Sequence, residues 1–139
     1  MVQAKQGADL QCSTFDQYLA YELASADWLP DHIQTIRRVY KERRDAMLQA
    51  FEDFMPERTT WTVPNGGLFL WLRLPCGCDS LELFPKAIEE KVAYVPGAPF
   101  YPNGGPNNTM RLNFSATNPE KIREGVRRLS VMIKKSLEN

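Results

Sequence analysis

Residues 59–74 read TTWTVPNGGLFLWLRL, and this stretch decides the fold. Thr59 to Val63 is rich in residues that favour strands, and Leu68 to Leu74 is almost wholly apolar. Between them, Pro64 to Gly67 is a strong turn signal. Two strand-forming runs around such a turn predict a β-hairpin whose second strand is largely buried.

Helical spacing precedes the hairpin. Ser13 is a possible cap for a short helix that ends near Ala24. Apolar residues then recur at helical intervals from Ile33 to Phe54, with Pro30 suited to the first turn and Pro56 to the end. We therefore predict two helices ahead of the hairpin, the second of them long.

A helix and a strand are predicted after the hairpin. Asp79 marks the start of a helix that runs to about Lys91. Pro85 lies inside this helix, so we expect a distorted or late first turn. Val92 to Val95 then has the composition of a short strand.

The end of the chain repeats the strand–helix order. Residues 110–115 alternate apolar with polar side chains: Met110, Leu112 and Phe114 against Arg111, Asn113 and Ser115. Thr117 or Asn118 then caps a last helix with a buried stripe from Ile122 to Leu137. The prediction is an α+β fold: two N-terminal helices, then ββαββα with a mainly antiparallel sheet covered on one face by helices.

Composition and charge exclude several classes of function. The 17 basic and 17 acidic residues give a formal net charge of +0, so we expect no nucleic-acid or membrane partner. No run approaches the roughly 20 apolar residues of a membrane span. The three cysteines, with no leader-like start, favour a reducing, cytoplasmic compartment. No cluster of His, Cys, Asp and Glu has metal-ligand spacing, so we predict no metal site.

Arg111 is the best candidate for a binding side chain. It lies on the polar face of an apolar strand, directly after the long Pro/Gly-rich loop 98–108. Its planar fork can bind both oxygens of a carboxylate, which a lysine cannot do. The residues alone favour the simpler interpretation, an arginine on the wet face of an edge strand. Asn113 and Ser115 share its face and could support it or lie beside a bound substrate.

Three segments in this order resemble a known family: residues 63–71 (VPNGGLFLW), 92–100 (VAYVPGAPF) and 110–115 (MRLNFS). Together they resemble the small domain of fold-type-I, class I/II aminotransferases, in the branch of 2-aminoadipate and kynurenine/aminoadipate aminotransferases. The resemblance covers essentially the whole chain. It implies that residues 1–56 are the end of the large domain with an interdomain helix, and that residues 57–139 are the small C-terminal domain.

The resemblance also implies roles for individual residues. Arg111 would bind the α-carboxylate of the amino-acid and 2-oxo-acid substrates, which exchange an amino group through pyridoxal 5'-phosphate in a ping-pong reaction. Gly66 and Gly67 would lie in the hairpin turn as substrate-adjacent residues. Leu10 and Gln11 would approach the active site of the partner subunit in a homodimer.

The sequence departs from this family in what it lacks. No lysine follows the Ser-x-x-Lys pattern expected of the lysine that holds the cofactor, and the phosphate-binding groups are absent. We therefore expect a carboxy-terminal fragment that lacks the N-terminal large domain and has no activity by itself. Two alternatives stay open: an aminotransferase-like effector domain of a transcriptional regulator, and a stand-alone α+β binding module.

Overall fold

The structure, a computed structural model, describes residues 2–9 and 11–138. These residues form five α-helices, four strands and one short 3-10 helix at Ala98–Phe100. Their order is α1 (Val2–Ala8), α2 (Thr14–Ala24), α3 (Leu29–Phe54), β1 (Thr60–Trp61), β2 (Phe69–Arg73), α4 (Ser80–Glu89), β3 (Val95–Pro96), β4 (Thr109–Asn113) and α5 (Pro119–Leu137). The chain divides into two units, residues 1–37 and 38–139. The division into domains 1–56 and 57–139 stays a prediction.

The first unit contains α1, α2 and the start of α3. As predicted, Ser13 caps α2, where its side chain accepts a hydrogen bond from the backbone N–H of Asp16 at 3.4 Å. Helix α2 has no buried residue, and Phe15, Tyr18 and Tyr21 are all largely exposed. This helix therefore presents a broad apolar surface.

The second unit contains the antiparallel sheet, in the strand order β1-β2-β4-β3. The predicted α+β class is confirmed. Leu70 and Leu72 of β2 and Met110 and Leu112 of β4 lie on the buried face. Helices cover this face with their own buried residues: Met47, Ala50 and Phe51 of α3, Leu83 and Ala87 of α4, and Ile122, Val126, Leu129 and Ile133 of α5. The candidate site lies on the opposite face of the sheet.

Helix α5 follows its predicted stripe except at its last turn. Asn118 is the cap, and its side chain accepts a hydrogen bond from the backbone N–H of Lys121 at 3.0 Å. Leu137, predicted as the end of the buried stripe, is 41% exposed, so that part of the prediction is wrong. It is the final helical residue and extends past the core.

Two further predictions are corrected. Helix α1 was not expected, because residues 2–8 carry no apolar stripe and include Gly7. Helix α4 starts at Ser80 without delay, although Pro85 lies within it. Pro85 cannot donate to the Leu81 carbonyl, but both residues are exposed, so water can bond that carbonyl instead.

Strand β3 is shorter and later than the predicted Val92 to Val95. Lys91 has a left-handed backbone (φ 59°), and the N–H of Val92 bonds the Ala87 carbonyl at 2.9 Å, so Val92 still terminates α4. Tyr94 is buried and its hydroxyl donates to the Ser80 carbonyl at 2.6 Å. Only Val95–Pro96 is left to pair with β4.

Replacing the cap of α4 should make stability less dependent on pH. The Asp79 carboxylate accepts from the N–H groups of Leu81 (2.7 Å) and Glu82 (3.3 Å). The Leu81 hydrogen bond is the main reason that the pKa of Asp79 lies below its ordinary value of 3.8. This contribution is complete above that pH and is lost as the pH falls through the lowered pKa. Asp79→Ala should cost about 1 kcal/mol at neutral pH.

The control for this prediction is Asp79→Asn. Asparagine caps helices about as well but does not titrate, so the variant should keep its stability at neutral pH and lose this part of the acid sensitivity. Urea unfolding at pH 7 and at pH 3 measures both effects. Equal stabilities of the alanine variant and the wild type at pH 7 would contradict the assigned cap.

Candidate carboxylate-binding site

Arg111 occupies the middle of the sheet. Strand β4 lies between β2 and β3, and Arg111 is directly opposite Trp71 on one side and Val95 on the other. The interpretation of Arg111 as part of an edge strand is therefore wrong. Because its neighbours Met110 and Leu112 face the core, Arg111 projects from the opposite face of the sheet, which the core helices α4 and α5 do not cover.

Two phenyl rings flank the guanidinium group of Arg111. Its Cζ lies 4.1 Å from the centroid of the Phe69 ring and 4.9 Å from that of Phe100. Nε is buried without a hydrogen-bond partner. Among residues 38–138, no carboxylate forms an ion pair with this arginine. The site thus contains a positive, planar guanidinium group next to two aromatic rings. No carboxylate among residues 38–138 neutralises it, so it could bind an anion.

The loop after β3 brings further rings to the same face. Trp71 contacts Phe100 edge-on at 5.4 Å and Tyr101 at 6.1 Å between ring centroids. The loop folds closely over Tyr101, because a Cβ at Gly105 would lie 2.3 Å from that ring. Aromatic contacts therefore fix the start of the loop beside Arg111.

Gly97→Ala should displace this loop. The Gly97 N–H bonds the Thr109 carbonyl at 2.7 Å, and an added Cβ would lie 2.0 Å from the Oγ1 of Thr109, which is fully buried. We expect a loss of about 1–3 kcal/mol, the usual cost of overpacking. Urea unfolding measures it. Gly66→Ala is the control, since its Cβ would meet nothing within 4 Å, and its stability should stay near the wild-type value. Equal stabilities of the two variants would contradict the prediction.

Asn113 and Ser115 bond each other. The Asn113 Oδ1 accepts from the Ser115 backbone N–H at 2.6 Å and from its hydroxyl at 2.8 Å. The Ser115 carbonyl accepts a hydrogen bond from Arg43. Neither side chain bonds Arg111 in the described residues of this unit, so they do not hold it directly. Their adjacency to a substrate stays a prediction.

Gly66 and Gly67 lie in the connection between β1 and β2. Both are exposed, and Gly67 has φ +82°, a conformation that side chains disfavour. The Pro64 carbonyl in the same connection accepts from Arg44 Nη1 at 2.9 Å. The substrate-adjacent role of the two glycines stays a prediction. So does the cross-subunit role of Gln11, an exposed residue, and Leu10 lies outside the described residues.

The lysines do not fit a cofactor site. A lysine that forms a Schiff base is activated by desolvation or by a neighbouring cation, whereas every lysine in this chain is exposed: Lys5, Lys41, Lys86, Lys91, Lys121, Lys134 and Lys135. Lys41 forms an ion pair with Asp45 at 2.8 Å. The residues present therefore do not by themselves hold pyridoxal 5'-phosphate. Within residues 2–9 and 11–138, no group of three His, Cys, Asp or Glu side chains could hold a metal ion.

Several functional candidates were missed from the sequence. Phe69 had a usable signal, because it precedes Trp71 by two residues and so shares the face of Arg111. Phe100 had none, since it reaches Arg111 from a short 3-10 helix outside the sheet. Arg43 and Arg44 are half-buried and donate hydrogen bonds to backbone carbonyls. No helix among the described residues is long and apolar enough to cross a bilayer.

Comparison with known proteins defines the class. Residues 3–129 match the family model "Aminotransferase class I and II". The chain therefore belongs to the class I and II aminotransferases, a family that depends on pyridoxal 5'-phosphate, and the resemblance seen in its sequence is confirmed.

Particular relatives match almost the whole chain. It is 47% identical to aromatic-amino-acid aminotransferase 1 of Thermococcus litoralis, over 97% of this chain and 32% of the relative. It is 45% identical to 2-aminoadipate transaminase of Thermus thermophilus, over 96% of this chain and 34% of the relative. The crystal structure of Pyrococcus horikoshii kynurenine aminotransferase superposes with a TM-score of 0.90 at 48% identity, over 98% of this chain and 34% of that one. The chain spans about a third of the length of the relatives it matches.

Regulators are also among the matches. The HTH-type transcriptional regulator NorG of Staphylococcus aureus is 29% identical over 91% of this chain and 28% of its own length. Sequences similar to this chain therefore occur in two functional classes of protein, aminotransferases and transcriptional regulators.

Proposed function

We propose that this chain serves as the carboxy-terminal part of a pyridoxal-phosphate-dependent aminotransferase, which moves an amino group from an amino acid to a 2-oxo acid. In this proposal Arg111 binds the α-carboxylate of both substrates. The observation that carries it is the Arg111 fork, which projects from the face of the sheet opposite the core without an anionic partner in residues 38–138.

The chemistry of this face suits a carboxylate. A guanidinium forms two parallel hydrogen bonds to the two oxygens of one carboxylate group, which fixes direction as well as position. Trp71 and the two flanking phenyl rings exclude water from part of the surroundings, so the attraction is screened less than on an open surface. Amino acid and 2-oxo acid both carry a carboxylate next to the reacting carbon. One arginine can therefore orient both.

The remaining parts of the enzyme belong to the same proposal. The cofactor would be held by an N-terminal large domain that this chain does not contain, because none of its own lysines fits the role. A homodimer and a cytoplasmic location are proposed from the family resemblance. The chain's own contribution is to bind and orient the substrate acid.

A second function is favoured by the similarity to NorG and stays a candidate. In that case the chain would be part of the effector domain of a transcriptional regulator. Arg111 would then bind a carboxylate ligand without turnover. The two candidates differ in catalysis and in DNA binding, and not in the local chemistry of this site.

The deciding experiment uses the longer protein that carries this chain. Purified with pyridoxal 5'-phosphate, it is assayed for amino transfer from acidic, aromatic and branched amino acids to 2-oxoglutarate. We expect formation of glutamate with at least one donor class. Absence of turnover with every donor, together with specific binding to DNA, would contradict the enzyme and support the regulator.

A further inference from the structure

We propose that Phe69 and Phe100 are positioning residues that clamp the guanidinium of Arg111 between their rings and so present its two terminal nitrogens to a carboxylate. The inference rests on the proposed function for its biological purpose. The clamp itself is a property of this chain and can be tested without turnover.

The first half of the clamp comes from the sheet. Phe69 pairs with Asn113, and Trp71 pairs with Arg111, so Phe69 is the diagonal neighbour of Arg111 on the same face. Long and aromatic side chains reach each other across such a diagonal. The Phe69 ring is 40% exposed and does not belong to the hydrophobic core. Core packing therefore does not account for its contact with Arg111 at 4.1 Å.

The second half comes from the loop. Phe100 ends the 3-10 helix at Ala98–Phe100, is 45% exposed and also lies outside the core. The hydrogen bond from the Gly97 N–H to the Thr109 carbonyl and the edge contact with Trp71 hold the Phe100 ring beside Arg111, 4.9 Å from its Cζ. Two rings from separate segments thus meet one cation. The face of an aromatic ring attracts a cation, which an aliphatic side chain of similar volume does not.

The clamp leaves one edge of the arginine accessible. Nε is buried without a partner, although Arg111 as a whole is only half-buried. A carboxylate therefore approaches the end of the fork rather than its side. Restricting the plane of the guanidinium before the ligand arrives reduces the ordering that binding must impose.

Exchange NMR on the 139-residue chain tests the clamp through rotation about the Nε–Cζ bond of Arg111, with the signal assigned from an Arg111→Lys variant. Phe69→Leu and Phe100→Leu should each accelerate this rotation roughly two- to five-fold, the change expected from loss of an exposed cation–π contact. Phe69→Tyr and Phe100→Tyr retain the ring face and should restore the wild-type rate. Backbone amide spectra establish that each variant is folded.

The matched control is Phe54→Leu. Phe54 contacts a different arginine, Arg123, at 4.7 Å between the ring centroid and Cζ, so its removal should leave the rotation of Arg111 unchanged. Unchanged rotation of Arg111 in both Phe69→Leu and Phe100→Leu would overturn the clamp, as would equal acceleration by Phe54→Leu.

Titration with pyruvate separates this inference from the proposed function. We expect pyruvate to shift the Arg111 terminal nitrogen signals in the wild type, and the double variant F69L/F100L to bind it several-fold more weakly. No shift in the wild type would contradict the proposed carboxylate role, while the rotation rates would still decide the clamp. A shift in the wild type with equal affinity in the double variant would overturn the positioning role.

Discussion

Replacing Arg111 by alanine in the longer protein that carries this chain should weaken the apparent affinities for amino acid and 2-oxo acid by about two orders of magnitude or more. The physical reason is that the carboxylate would lose a charged, bidentate partner in a partly desolvated site. Both substrates should be affected alike, because in the proposed function the same group binds both acids. Steady-state kinetics with each substrate varied in turn measures the two effects.

Arg127→Ala is the matched control for this substitution. Arg127 is an exposed residue of α5 that pairs with Glu124 at 2.7 Å, and its loss should leave both affinities near the wild-type values. Arg111→Lys should recover only part of the loss, since an ammonium cannot reproduce the fork. Unchanged affinities for both acids in Arg111→Ala would refute the assignment.

Phe51→Ala should cost about 3–5 kcal/mol of the free energy of unfolding. Phe51 is 0% exposed and its ring packs on Trp61 at 5.3 Å between centroids. Its removal leaves a cavity between α3 and the sheet that rigid neighbours fill only in part. A domain of this size is stable by roughly 5–15 kcal/mol, so this single change removes a large share.

Urea unfolding of the chain measures this loss. Phe15→Ala serves as control, because Phe15 is 74% exposed in α2 and its truncation should change stability by no more than about 0.5 kcal/mol. A loss below about 1 kcal/mol for Phe51→Ala would show that the core closes around the missing ring, contrary to the packing described.

The fold could be predicted largely because its signals are local. The alternation from Met110 to Ser115 reports the two faces of β4 directly, and Asn118 forms a cap with a residue only three positions away. The predictions failed where hydrogen bonds or partners outside a segment decide its structure. Strand β3 is short because Val92 is held by Ala87 at the end of the preceding helix, which no strand propensity reveals.

The candidate site shows the same limit. Arg111 could be selected from its strand and its family pattern, and Phe69 from the strand face it shares with Trp71, but Phe100 could not. Phe69 lies 42 positions before Arg111 and Phe100 lies in a separate 3-10 helix, so their contacts with Arg111 arise only when the sheet forms. The contacts of Arg43 and Arg44 are unpredictable for a similar reason: the carbonyls they bond, at Ser115 and Pro64, are remote in sequence.

The outer strands of the sheet, β1 and β3, are only two residues long, and Pro96 in β3 has no N–H to offer. Such edges give another chain almost no backbone to pair with, which is how natural sheets avoid amyloid-like growth. A broad exposed apolar surface lies instead on helix α2, and it could contact another copy of the chain. In concentrated solution we therefore expect the chain to form soluble, helix-rich oligomers. These oligomers should dissociate into monomers on dilution and should not bind thioflavin T.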